Sequence, residues 1–235
     1  MLDEGEEWLL EPRPAADNPR LWSPGIKLGV RPGSFFHRTE CFGPVLGLMR
    51  AENLDQAIEL ANAQPFGLTS GIQTLDDREI ARWVDRIEAG NLYVNRPITG
   101  AIVGRQPFGG WKASSVGPGA KAGGPNYVLA ARALATGVAA GRRRRAAAGA
   151  DRGAPRRAAL AELADADARA LLAASAASYA RAWREHFGRE HDPSAIRGER
   201  NAFRYRPCRR VIARGTTGVA LCQVVLAACV AGSAA

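Results

Sequence analysis

Cysteine is scarce in this chain, with only Cys41, Cys208, Cys222 and Cys229. None is spaced C-x-x-C and no histidine pair lies near them, which speaks against a zinc site and leaves no metal to assign. Such thiols read as reduced, in a cytoplasmic protein. The three histidines, His37, His186 and His191, are scattered and suit surface or packing roles. A basic segment leading into an apolar run is missing from the start. Met1 to Glu7 is acidic instead, against a secretory signal. Long strongly apolar runs are missing too. Residues 215–235 carry no charge, but Gly, Ala, Ser, Thr and Gln fill much of the segment. A buried helix over Val219–Val230 is expected there rather than a membrane span. No internal repeat and no nucleic-acid-binding motif is present.

What is there suits a soluble globular protein: 46% hydrophobic and 23% charged residues in a chain of 235. That length buries one good core, or one domain plus a partial second. The net charge of +9 is unevenly spread. Residues 1–129 hold 13 basic and 15 acidic side chains, whereas 130–235 hold 19 and 8, every basic one an arginine. A polyanion-binding tail is one reading. The other is an Ala/Arg-rich drift in composition with solvated arginine faces, and it is preferred because no recognition motif accompanies the charge. The one compact basic run is Arg142–Arg145.

Along the chain, residues 8–38 read as extended pieces broken by Pro and Gly, notably 8–12 and 25–30. A short strand is expected within 44–49. Leu54, Ala57, Ile58 and Ala61 then share one helical face. A strand follows at 68–74. Asp76 or Asp77 can cap a helix whose stripe is Ile80, Trp83, Val84 and Ile87, and another strand covers 91–95. Strand, helix, strand, helix, strand favours parallel pairing with helices on the sheet faces. Residues 130–158 read as a linker and 159–187 as helical. Strand-like pieces at 202–206 and 211–213 precede the last helix. The expected organisation is an α/β portion over 1–129, the linker, and a helical segment with the start of an incomplete second α/β unit over 159–235.

Two runs carry chemistry. The first is Thr39-Glu40-Cys41-Phe42-Gly43-Pro44. The second is Arg105-Gln106-Pro107-Phe108-Gly109-Gly110-Trp111-Lys112-Ala113-Ser114. An E-x-F-G-P run followed by P-F-G-G-x-K-x-S resembles the C-terminal part of the aldehyde dehydrogenase catalytic domain. The stretch 90–112, with Gly119-Ala120-Lys121-Ala122-Gly123-Gly124-Pro125-Asn126-Tyr127 after it, is similar to the L-glutamate γ-semialdehyde (1-pyrroline-5-carboxylate) dehydrogenases, including those of bifunctional proline-utilisation enzymes. The likeness is dense from about residue 5 to 128. A fainter one, over 183–188 and 198–207, is to the extension found after the dehydrogenase domain in long members.

The resemblance implies a parallel sheet flanked by helices, NAD as cofactor, and oxidation of L-glutamate γ-semialdehyde to glutamate in proline catabolism. It places Glu40 on the hydroxyls of the nicotinamide ribose and Phe42 near the nicotinamide. Gly100 and Ala101 would bind the substrate's α-carboxylate through backbone N–H groups, and Phe108 would pack on its methylenes. Aldehyde oxidation also needs a thiolate nucleophile and a general-base carboxylate. In the family these lie upstream of the E-x-F-G-P run. Only 39 residues precede Glu40, so no catalytic residue is assigned here. Cys41 fills the variable position of its motif, is read as structural, and its replacement by Ser is expected to leave any reconstituted activity intact. The expected partners are the substrate, further copies of the chain, or a missing N-terminal half. Neither membrane nor nucleic acid is expected. The competing reading is a non-catalytic interaction module, or relic, that docks onto dehydrogenase subunits.

Overall fold

The computed structural model describes residues 2–115, 120–128 and 165–234. The chain forms two compact units, Met1–Ala133 and Leu134–Ala235, each with its own core. The expected linker at 130–158, with Arg142–Arg145, lies outside the described residues, as does the start of the helical segment expected at 159.

In the first unit, β1 (Glu7–Leu10) runs antiparallel to β2 (Gly25–Leu28), with a bulge between Trp8 and Leu10. A single turn of helix, α1 (Phe35–Arg38), lies in a stretch read from sequence only as extended. Ser34 accounts for it, because its hydroxyl accepts from the His37 N–H and so caps the turn. β3 (Val45–Gly47) then pairs parallel to β2. α2 (Leu54–Asn62) is capped by Asn53. Next come β4 (Phe66–Gly67), β5 (Thr69–Ile72) and α3 (Asp77–Arg86), the last capped by Asp76. β6 (Asn91–Val94) pairs parallel to β5, and β7 (Trp111–Lys112) pairs antiparallel to β4.

The β5–α3–β6 crossover is the parallel unit that the pattern implied. One continuous sheet is not formed, however: β3 belongs with β1 and β2, while β5 pairs with β6. The core lies between α2, α3 and the β5–β6 pair. Ile58, Trp83 and Ile87 are buried, with Leu54, Ile72, Val84, Leu92 and Val94 packed against them. Burial of side chains this size stabilises by roughly 1.5–3 kcal/mol each. Asn62 locks the end of α3, its amide donating to Arg86 O while its carbonyl accepts from Glu88 N.

In the second unit, α4 (Ala166–Ala182) runs into a wider π turn at Trp183–Phe187. It packs on α5 (Gly218–Val230) through Leu172, Ala176 and Leu226. α5 matches the helix expected near 219–230. No helix among the described residues is long and apolar enough to cross a membrane. The pieces at 202–206 and 211–213 are not strands. Phe203 forms an isolated bridge to His191, and Tyr205 packs against Phe203, Phe187 and His186. The alternation of Arg and aromatic residues over 203–206 serves this ring cluster, not a sheet ladder.

One charged pair is sealed inside the first unit. Lys27 Nζ lies 2.8 Å from Glu6 Oε2, with side-chain exposures of 6% and 0%. The Asp3 N–H also donates to that oxygen, and the ammonium sits over the Trp8 and Phe36 rings. The hydrogen bond from Lys27, then that from Asp3, holds the Glu6 carboxyl below its ordinary value of 4.5. Glu6 therefore stabilises the fold fully above that value, and the stabilisation is lost as pH falls through its lowered folded pKa. Lys27→Met strands the buried carboxylate and is expected to cost roughly 3–5 kcal/mol in urea melting. A loss below 1 kcal/mol, or an unchanged acid limb, would contradict this account of the pair.

Candidate functional site

The first motif is a turn carried into β3. Thr39 N donates to Phe35 O, and Gly25 N donates to Pro44 O, so α1 and β2 fix its two ends. Glu40 is exposed and its carboxylate has no hydrogen-bond partner among the described residues. Cys41 is exposed and free, its thiol donating weakly to Thr39 O. Phe42 is 92% exposed and has φ of +39°. An aromatic residue in the left-handed region is strained, and nothing among the described residues buries the ring in return. Its geometry suits contact with a ligand or another surface. Phe42→Gly is expected to raise the urea-melting stability of the chain, by an amount on the order of 0.5–1 kcal/mol. A lower stability would show that the ring already packs within the chain.

The second motif is built on β6. Asn91 and Tyr93 alternate along the strand, so both point to one face, and both are buried. The Tyr93 hydroxyl donates to Gly100 O at 3.0 Å. Asn91 holds Pro107 O at 2.9 Å with its amide and accepts from Gly109 N at 3.1 Å. Gly100 has φ of +90°, a conformation that glycine adopts without strain, and Gly100 and Ala101 are both exposed. Phe108 is 38% exposed. Thus Gly100, Ala101 and Phe108 are carried on a loop tethered at two points to one strand. Glu40 and Phe42 are carried separately, by the sheet of β1–β3.

Glycine is required where this loop meets the strand. A Cβ on Gly90 would lie 1.9 Å from Gly109 O, and one on Gly110 would lie 2.5 Å from the Ser114 Cβ. Gly90→Ala therefore has to push the P-F-G-G run off β6. Trypsin should then cut after Arg105 several-fold faster than in Gly218→Ala, whose Cβ meets open space. Equal cutting rates would refute this tight seating.

Two lysines matter here in ways the sequence reading did not assign. Lys112 has φ of +52° and pairs with Glu88 at 2.8 Å, while also donating to Asn62 O and Gln64 O. Desolvation lowers its pKa. Lys121 Nζ donates to Gly90 O at 2.5 Å, Gly109 O at 2.7 Å and Asn91 Oδ1 at 3.1 Å. Burial among these neutral oxygens pushes its pKa down to about 8. The signal was present in the composition: 29 of the 32 basic residues are arginine, and the three lysines all serve internal bonds. His37 is also internal, accepting from Gly33 N at Nδ1 and so donating to Leu60 O through Nε2. No metal-binding cluster occurs among the described residues.

Residues 2–133 match the aldehyde dehydrogenase family. The chain is 52% identical over 91 residues to the bifunctional protein PutA of Rhizobium meliloti, covering 38% of this chain and 7% of that protein. It is 38% identical over 126 residues to 1-pyrroline-5-carboxylate dehydrogenase of Staphylococcus aureus, covering 53% and 24%. Proline utilization A from Corynebacterium freiburgense superposes with a TM-score of 0.82 at 46% identity, covering 99% of this chain and 23% of that one. The matches thus span about a quarter or less of these relatives' lengths.

Proposed function

The chain belongs to the aldehyde dehydrogenase family, and we propose that its first unit carries the substrate-anchoring and ribose-anchoring loops of an NAD-dependent L-glutamate γ-semialdehyde dehydrogenase of proline catabolism. The observation that supports this best is the loop on β6. It presents the solvent-exposed Gly100–Ala101 turn at one point and the half-exposed ring of Phe108 at another. Two neighbouring N–H groups suit a carboxylate, because a fixed backbone donates without reorganising. An aromatic ring along the same loop suits the methylenes of a short dicarboxylic chain.

The cofactor role falls to Glu40 and Phe42. A carboxylate with no partner among the described residues has both oxygens available for a vicinal diol. The exposed Phe42 ring suits one face of a flat heterocycle. A bound nicotinamide supplies hydride acceptance, and Glu40 would orient it through its ribose. No nucleophile or general base is assigned within this sequence, and its free thiols at Cys41 and Cys208 lie outside any motif for one. The chain would then act as part of a larger assembly. Leu9, Leu10, Phe35, Leu46 and Leu48, all exposed in the β1–β3 region, support association with further dehydrogenase chain, either additional copies or the remainder of the catalytic domain. The same exposure supports the second reading, a docking module without catalysis of its own.

Calorimetry with L-glutamate tests the anchoring role. Saturable binding is expected, weakened at least ~10-fold (about 1.4 kcal/mol) by Gly100→Val, which cannot keep the positive φ. Binding unchanged by that substitution, or none at all, would refute it. The 235-residue chain supplied with NAD and the semialdehyde is expected to make no NADH. Ordinary turnover abolished by a point change in this chain would contradict the division of labour.

A further inference from the structure

The segment Lys121-Ala122-Gly123-Gly124 has no role in the reading above, although it is part of the second motif's likeness. Its contacts are concentrated on one residue's surroundings. Phe108 N donates to Ala122 O at 3.0 Å, and Ala122 N donates to Phe108 O at 2.8 Å. Pro107 O and Gly109 N are both taken by Asn91. The Gly109 O accepts from Lys121. Five consecutive backbone polar groups, from Pro107 O to Gly109 O, are thus each paired. A half-exposed loop has little need of such complete pairing for solvation alone, since water serves as well. The pairing removes the loop's freedom instead.

We infer that Lys121 is a positioning residue: its ammonium, inserted among Gly90 O, Asn91 Oδ1 and Gly109 O, fixes the backbone after Phe108 directly and the backbone before it through Asn91, which holds Pro107 O, and so sets the height of the ring over the proposed substrate chain. This rests on the reading that residues 100–108 face a substrate. Chemistry selects lysine for the place. Three carbonyl oxygens from two segments, Gly90–Asn91 and Gly109, converge on one point, which a compact ammonium with three rotatable donors satisfies and a planar guanidinium does not. In a chain where 29 of 32 basic residues are arginine, this position is lysine. Asn91 cannot hold the loop alone, because its carbonyl oxygen already receives Gly109 N and is itself shared with Lys121. The lowered pKa of the ammonium is consistent with its enclosure. Gly109 completes the fit, since a Cβ there would lie 3.2 Å from Lys121 Cγ and its backbone.

The test uses the full chain labelled with 4-fluorophenylalanine, the Phe108 fluorine resonance being assigned by its absence in Phe108→Leu. In the parent chain Phe108 should give one narrow line displaced from the unfolded value. Lys121→Met keeps the stem and removes the donors. It should broaden that line or move it toward the unfolded value, while the line of Phe36, beside Lys27, stays in place. Lys121→Arg should fail to restore the parent line. If Lys121→Met loses the helical circular dichroism of the whole chain, Lys121→Arg is read alone, with the same expectation. A Phe108 line unchanged in either folded variant overturns the inference. Addition of L-glutamate separates the two claims. A response of the parent Phe108 line that weakens several-fold in the variant supports both. A variant that disturbs Phe108 while glutamate moves nothing in the parent upholds the clamp and sinks the substrate reading.

Discussion

The face of β6 that carries Asn91 and Tyr93 is the constraint on which the rest depends. Both side chains are buried and polar, and a buried polar group is costly unless paired. They find their partners in the backbone of the loop that follows the strand: Tyr93 on Gly100, Asn91 on Pro107 and Gly109. The need to satisfy these two side chains therefore fixes where the loop runs. β6 is in turn held by β5 and by the packing of Trp83 and Ile87 from α3. A chain of causes leads from an ordinary apolar core, through two polar residues at strand spacing, to an open stretch of backbone and one aromatic ring.

Charge is used sparingly inside this framework, and lysine is the instrument. Lys27 closes on Glu6, Lys112 on Glu88 and two carbonyls, and Lys121 on three oxygens. Arg82 and Arg86, by contrast, pair with the partly exposed Asp55 across α2 and α3. Such exposed pairs contribute little to stability. The distinction follows from shape: a small ammonium enters a pocket of carbonyls, and a guanidinium fork prefers a carboxylate at the surface.

Much of this was legible in the sequence, for identifiable reasons. The β5–α3–β6 crossover announced itself through the Ile80, Trp83, Val84 and Ile87 stripe and the Asp76 cap. The P-F-G-G run was legible only through its resemblance, and the close approach of Gly109 O to Gly90 that its seating requires was not. The short helix α1 was hidden, because four residues hold no period and only the Ser34 cap betrays it. The piece 202–206 misled, because alternation of large and charged residues fits a ring cluster as well as a strand. The convergence of Lys121 on Gly90 and Gly109 joins residues distant in sequence, and no local pattern encodes it.

The family match and the superposition with a proline-utilisation enzyme agree with this architecture. The central proposal is narrower: Gly100 and Ala101 would hold a carboxylate, and the Phe108 ring on the same loop would meet the same ligand. Amide shift mapping during an L-glutamate titration tests it most directly. The account predicts that the Gly100 and Ala101 amides and the Phe108 ring shift together and saturate at one concentration. Shifts confined to the arginine-rich second unit, or none at Gly100 and Ala101, would contradict it.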